Sequence, residues 1–484
     1  MSRRPTAGLL AAALALLGGA APGRAEPSPE TLRRRIEAVV SRRAFASAFW
    51  GIEVRGLRSG NVLYARGADK NLRPGSAMKL VTTAAALDVL GPEARLRTTV
   101  ETAARLDETG VLAGDLFLVG RGDPSLSGRL TEGRVTLALE DLADALRAAG
   151  VRRVEGRLVG HEGAFSGERR GSDWTWEDLV WSYGTEASAL SFNDNRALLR
   201  LRPGARPGDP ALLEQEPASR QYRVTSTTTT SAAGSKSEPV LDQPAPNVFR
   251  LSGVIAAGDR PWEGEVAIAD PARYAASAFA VALQAKGIEV AGEVATSSDP
   301  LPEGTRALAF RDSPPLGELL KVVNKESQNL HAEILLRLTG LKAKGQGTAE
   351  AGSEAVREFL TRSGVASDGF SLEDGSGLSR SNLLSAHGLA GLLVAMDKHP
   401  FARAYRDSLA EPGQKGTLEH RLARLAGRLQ AKTGTLRFAN ALAGFVTGAD
   451  GDRLAFAVIV NNHTMPGREA VAAIDEIALV LGGS

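Results

Sequence analysis

Three short stretches hold residue types that could work together on a carbonyl group. Ser76 and Lys79 are three positions apart, Ser327 and Asn329 two apart, and Lys432 opens Lys432-Thr433-Gly434-Thr435. A hydroxyl is a weak nucleophile until a neighbouring base takes its proton, and a lysine can do this once its amine is neutral. Pro74 and Gly75 interrupt the chain. Ser76 then leads into Lys79–Leu90, an apolar run that predicts a buried helix ending at Gly91. Residues three apart on a helix share a face, so the serine and the lysine are expected one turn from each other. The helix N-terminus adds unpaired backbone N–H groups and the positive end of a dipole beside the hydroxyl.

Each stretch alone is weak. Ser-x-x-Lys is expected by chance from two common residue types, and it also reads as a helix cap followed by a solvated lysine. The hydrophobic setting of Lys79 argues against solvation. Ser327 and Asn329 could cap a helix or make a turn, and Lys432 could be a surface charge. Lys-Thr-Gly is the rarer match. Together and in this order, the three form the set shared by serine β-lactamases and penicillin-binding proteins. Metal chemistry has less support: the six histidines are dispersed and none forms His-Glu-x-x-His. Without a cysteine, thiolate metal sites and disulfide staples are excluded.

The elements that must position these residues are legible in part. Hydrophobic content of 43% and charge of 24% over 484 residues suit a globular chain of two or three domains. Residues 1–25 read as a secretory signal: Arg3 and Arg4, an apolar stretch from Leu9 to Ala21, then small residues. Removing that segment removes Arg3, Arg4 and Arg24 and no acid, which takes the net charge from +2 to −1. A nucleic-acid partner is therefore not expected. Nor is a transmembrane segment after cleavage.

Ser28-Pro29-Glu30 is a helix start. Phe49–Leu57 and Asn61–Gly67 make a hairpin. Val111–Gly120 and Val154–Gly160 each read as one strand, and Thr136–Ala149 as an amphipathic helix between them. Pro271–Gly287 and Leu316–Gly340 return to helical period. At the end of the chain, Leu429–Thr435, Ala439–Thr447 and Leu454–Asn461 read as strands. The last is a near-continuous apolar run, as in a central strand covered on both faces. A final helix carries Val471, Ile474, Ile477 and Leu481 on one stripe. One sheet built from both chain ends, with helices on both faces, fits this layout.

From Ser76 to Ser327 is 251 positions, far longer than in a compact serine β-lactamase, so roughly 98–265 is inserted. The layout resembles the D-alanyl-D-alanine carboxypeptidase/endopeptidase family, the class C low-molecular-mass penicillin-binding proteins. The resemblance extends to Gly122-Asp123-Pro124-Ser125-Leu126, Leu190-Ser191-Phe192-Asn193-Asp194-Asn195 and Asp374-Gly375-Ser376-Gly377-Leu378-Ser379-Arg380. It implies an α/β (α+β) fold: a penicillin-binding transpeptidase-like domain from 26–97 and 266–484, its antiparallel sheet flanked by helices. The insertion at 98–265 would form one or two small, mostly-β domains.

The resemblance also implies an activity. Ser76 would attack the bond between two D-alanines of a peptidoglycan stem peptide, with Lys79 as base. Ser327, Asn329 and Lys432 would complete the catalytic set. Thr433, Gly434 and Thr435 would meet the substrate, and backbone N–H groups of Ser76 and Thr435 would hold the oxyanion. Gly434 is expected to let the substrate's backbone approach the strand. Asp178, Tyr183 and Arg380 match positions that meet the ends of a diaminopimelate side chain. No cofactor is expected; β-lactams would be covalent inhibitors, and the location periplasmic. One rival is a serine β-lactamase, although no Glu-x-x-Leu-Asn-like segment lies between the first and third motifs. Another is a non-catalytic protein that binds cell-wall peptides.

Overall fold

A computed structural model describes residues 29–483. The expected signal at 1–25 and the cap at Ser28 lie outside the described residues. No helix among the described residues is long and apolar enough to cross a membrane.

The last apolar run becomes the middle strand of a five-stranded antiparallel sheet. Its order is Leu429–Leu436, Ala439–Thr447, Arg453–Asn461, Phe49–Gly56 and Val62–Arg66. Both chain ends meet here, with Trp50 opposite Val460. Along the middle strand, Phe456, Val458 and Val460 join one core, while Ala455, Ala457 and Ile459 join another. This is period-two alternation with both faces apolar. Pro29–Val40 and Gly467–Leu481 cover the first face; Lys79–Leu90, Asn329–Lys344 and Ala386–Asp397 contribute to the core on the second.

A further core runs from Val100 to Ala309. Its largest sheet has five strands, ordered Val294–Ser297, Leu158–His161, Leu116–Val119, Arg97–Thr102 and Arg306–Asp312. The helices Leu137–Ala148 and Pro271–Ala285 pack on it. The strands and helix between 271 and 312 therefore share the packing of the inserted region.

Val111–Gly120 and Val154–Gly160 each split into two strands. A Cβ on Gly156 would lie 2.3 Å from the Gly114 carbonyl carbon, so the two chains cross at a separation that only glycine permits. Leu316–Gly340 also divides, into Leu316–Lys325 and a helix from Asn329 to Lys344. Between them Ser327 adopts φ 62°, the left-handed region. That break gives the second motif its own short loop.

Candidate active site

A 3-10 turn, Gly75–Met78, precedes the helix Lys79–Leu90. A Cβ on Gly75, itself at φ 52°, would lie 2.7 Å from the Thr435 nitrogen. A Cβ on Gly434 would lie 2.0 Å from the Pro74 carbonyl oxygen. Turn and edge strand are thus pressed together at backbone contact, which sets Ser76 beside the strand that carries Lys432. Gly434, expected to make room for substrate, also makes room for Pro74.

Ser76 does not cap the helix. Its Oγ lies 2.9 Å from Lys79 Nζ. Lys79 Nζ also donates to Asn329 Oδ1 at 2.7 Å and to the Ser376 carbonyl at 2.7 Å. Lys432 Nζ donates to Ser327 Oγ at 2.9 Å and to the Thr433 carbonyl at 2.9 Å. Asn329 Nδ2 donates to the Tyr183 carbonyl at 2.8 Å. The hydroxyls of Ser76 and Ser327, the two amines and the carboxamide therefore converge, from positions up to 356 apart in number. Thr435 is exposed at the rim, its Oγ1 accepting from Asn440 Nδ2 at 3.3 Å.

Both amines are fully buried. Burial pushes Lys79 down to about 7, against the opposing pull of Asp374 and Glu333. Burial also drives Lys432 well down, and Lys79 adds to that effect. A hydrogen-bonded amine that deprotonates near neutral pH meets the requirement for a general base.

The inserted region grips the second motif from both ends. Glu326, just before Ser327, accepts from Arg129 Nη1 at 2.6 Å. His331, two residues after Asn329, meets Asp194 Oδ1 at 3.0 Å. Arg129 and Asp194 are paired with each other. Asn193, Asp194 and Asn195 all have positive φ, at 48°, 53° and 52°. Burial alone would raise the Asp194 carboxyl; His331, Arg129 and Arg196 outweigh it and hold it below the usual carboxylate range.

The wall of the cleft brings the other expected residues together. Asp178 Oδ2 accepts from Arg380 Nη1 at 2.8 Å and from the Thr175 nitrogen at 2.9 Å. Burial pushes this carboxyl up, but the Thr175 and Arg380 hydrogen bonds win and hold it low. The Tyr183 side chain is exposed, while its carbonyl holds Asn329. Trp174 Nε1 latches the wall to Asp374 Oδ2 at 2.8 Å.

Two buried carboxylates lie near the base: Asp374, within the Asp374–Arg380 stretch but given no role by the sequence, and Glu333, outside every quoted motif. Asp374 Oδ1 accepts from the Gly377 nitrogen at 2.7 Å, and its Oδ2 from the Ser379 nitrogen at 2.6 Å. Glu333 reads in sequence as ordinary helix. The available signal was an acid and Arg337 four positions apart among leucines, the pattern of a buried ion pair. Among the described residues, no group of three or more His, Asp or Glu side chains is placed to hold a metal ion.

A serine against a buried lysine, with a second lysine on the sheet's edge strand, defines the penicillin-recognising class of serine enzymes. Within that class, the chain belongs to the D-Ala-D-Ala carboxypeptidase 3 (S13) family, which matches residues 32–480. It is 35% identical over 481 residues to the D-alanyl-D-alanine carboxypeptidase of Actinomadura sp., covering 96% of this chain and 87% of the relative. It is 28% identical over 398 residues to D-alanyl-D-alanine carboxypeptidase DacB of Haemophilus influenzae, covering 80% of each. The crystal structure of penicillin binding protein 4 from Haemophilus influenzae shares the fold with a TM-score of 0.80 at 23% identity, over 93% of this chain and 99% of that one. That protein was also solved in complex with a β-lactam, where the TM-score is 0.75.

Proposed function

We propose that this chain is a serine D-Ala-D-Ala carboxypeptidase, exported to the periplasm, that acts on peptidoglycan stem peptides and is acylated by penicillins. The observation that carries this is Lys79 Nζ, sealed from water, 2.9 Å from Ser76 Oγ and 2.7 Å from Asn329 Oδ1.

Ser76 Oγ bonds to the carbonyl carbon between the two D-alanines as its proton passes to Lys79. The tetrahedral oxyanion sits against the backbone N–H groups of Ser76 and Thr435, aimed where charge develops. The C–N bond then breaks, and the departing D-alanine takes a proton through Ser327. Water attacks the ester and regenerates Ser76. Lys432, Thr433 and Thr435 meet the terminal carboxylate, whose negative charge draws the Lys432 amine back to its ammonium form. Asp178 takes the ammonium of a diaminopimelate side chain, Arg380 its carboxylate, and Tyr183 lies beside them. The same acyl transfer on a cross-linked peptide would be endopeptidase activity. The inserted region runs to about 312, where its core packing ends.

A β-lactamase would need efficient deacylation. Both Glu333 oxygens are already engaged, Oε1 by the Gly375 and Ser376 nitrogens and Oε2 by Arg337, which favours the carboxypeptidase. The test is release of D-alanine from a synthetic pentapeptide ending in D-Ala-D-Ala. Stoichiometric release with slow penicillin turnover supports the reading; an intact peptide with rapid penicillin hydrolysis overturns it.

A further inference from the structure

A neutral amine has two N–H bonds and one lone pair. For Lys79 to take a proton from Ser76, the lone pair must face Ser76 Oγ, so both N–H bonds must be held elsewhere. Two oxygens do this: Asn329 Oδ1 and the Ser376 carbonyl, each 2.7 Å from Nζ. Asn329 belongs to the second motif. The Ser376 carbonyl belongs to a turn, and its direction depends on what fixes that turn.

Glu333 fixes it. Glu333 Oε1 accepts from the Gly375 nitrogen at 3.0 Å and from the Ser376 nitrogen at 2.9 Å. Thr82 Oγ1 donates to the Gly375 carbonyl at 2.7 Å from the helix of the first motif. A Cβ on Gly375 would lie 2.6 Å from the Ala332 carbonyl oxygen, so the turn rests directly on the helix that carries Glu333. The carboxylate is 1% exposed, and its Oε2 meets Arg337 Nη1 at 3.3 Å.

We propose that Glu333 is a positioning residue for acyl transfer. From inside the second-motif helix, it fixes the Ser376 carbonyl that holds one N–H of Lys79, and so aims the amine's lone pair at Ser76 Oγ. This rests on Ser76 as nucleophile and Lys79 as base.

The carboxylate also acts through its charge. The charged groups facing Lys79 are Glu333 from its helix, Asp374 from the turn and Lys432 from the edge strand; Arg337 faces Glu333. Burial and Asp374 raise Glu333 to about 7, so its charge develops over the same pH range as the Lys79 titration. Where it is negative it favours the ammonium form of Lys79, and removing that charge lets Lys79 deprotonate at lower pH.

The experiment follows the rate of Ser76 acylation by penicillin against pH, with thermal melting as the check on folding. Glu333→Gln keeps an oxygen for the two N–H groups and loses the charge. It should retain the alkaline plateau, and its acid limb should move to lower pH by about one unit. Glu333→Ala loses the acceptor too, and its plateau should fall about 10–100-fold at every pH. If Glu333→Gln strands Arg337 and the chain does not fold, Glu333→Gln with Arg337→Met removes both members of the pair and carries the same expectation. An unmoved acid limb in a folded glutamine variant, or a full plateau in a folded alanine variant, overturns the inference. In either case normal acylation of the wild-type chain leaves the proposed function standing; a wild-type chain that takes no penicillin at Ser76 removes both.

Discussion

The floor of the cleft and its wall handle charge differently. On the floor, Lys79, Lys432 and Glu333 are buried, and every one is held by short hydrogen bonds. Burial there acts on the protonation states themselves: it brings Lys79 down to about 7 and Glu333 up to about 7, the latter helped by Asp374. On the wall, Asp178 and Arg380 neutralise each other, and the arginine and Tyr183 reach solvent. Burial raises the Asp178 carboxyl too, yet its hydrogen bonds override that and keep it charged. A sealed floor suits proton transfer, because a proton moves where water cannot compete. An open wall with a separable ion pair suits recognition, because a ligand bearing both charges can replace each partner.

The contrast breaks most visibly at the floor. Lys79→Met should slow penicillin acylation by about 10²–10⁴-fold, the usual worth of a general base, read from the rate of adduct formation. Lys432→Met should cost about 10²–10³-fold in D-alanine release, since it removes a donor from a preorganised site. In the unmodified protein, acylation should fall as pH drops through about 7, because Lys79 then carries a proton and cannot accept one from Ser76. A rate flat from pH 5 to 9, on the order of the ordinary assay range, would contradict that base.

Wall substitutions should separate substrates instead. Asp178→Ala should lower kcat/KM for a diaminopimelate-containing peptide about 10–100-fold, the worth of a hydrogen bond to a charged group, with penicillin acylation kept. Equal loss of both would erase the distinction between wall and floor. The smallest effect belongs to Tyr183→Phe. Asn329 is held by the Tyr183 backbone carbonyl, which the substitution leaves in place, so penicillin acylation should stay unchanged.

Much of this was legible because it is local or periodic. The apolar stretch Leu454–Asn461 carries its central place on its face, and the Ser76, Ser327 and Lys432 motifs carry the floor. What the sequence hid depends on chain segments meeting at a distance. Gly114 and Gly156 break two strands only because they touch. Pro271–Ala285 reads as a helix, but its apolar stripe does not say which core it serves. Gly434 is spare of side chain for Pro74, a partner from the other end of the chain. Glu333 hid deepest, since its partners are backbone N–H groups 42 and 43 positions away, and backbone leaves no trace in residue types.

The central claim is that Ser76, activated by Lys79, forms a covalent acyl-enzyme. Intact mass spectrometry after penicillin treatment, followed by peptide mapping, tests it directly. The account predicts one penicilloyl group per chain, on the peptide that contains Ser76, and none on a Ser76→Ala chain. An unmodified mass, or an adduct on another residue, would contradict it.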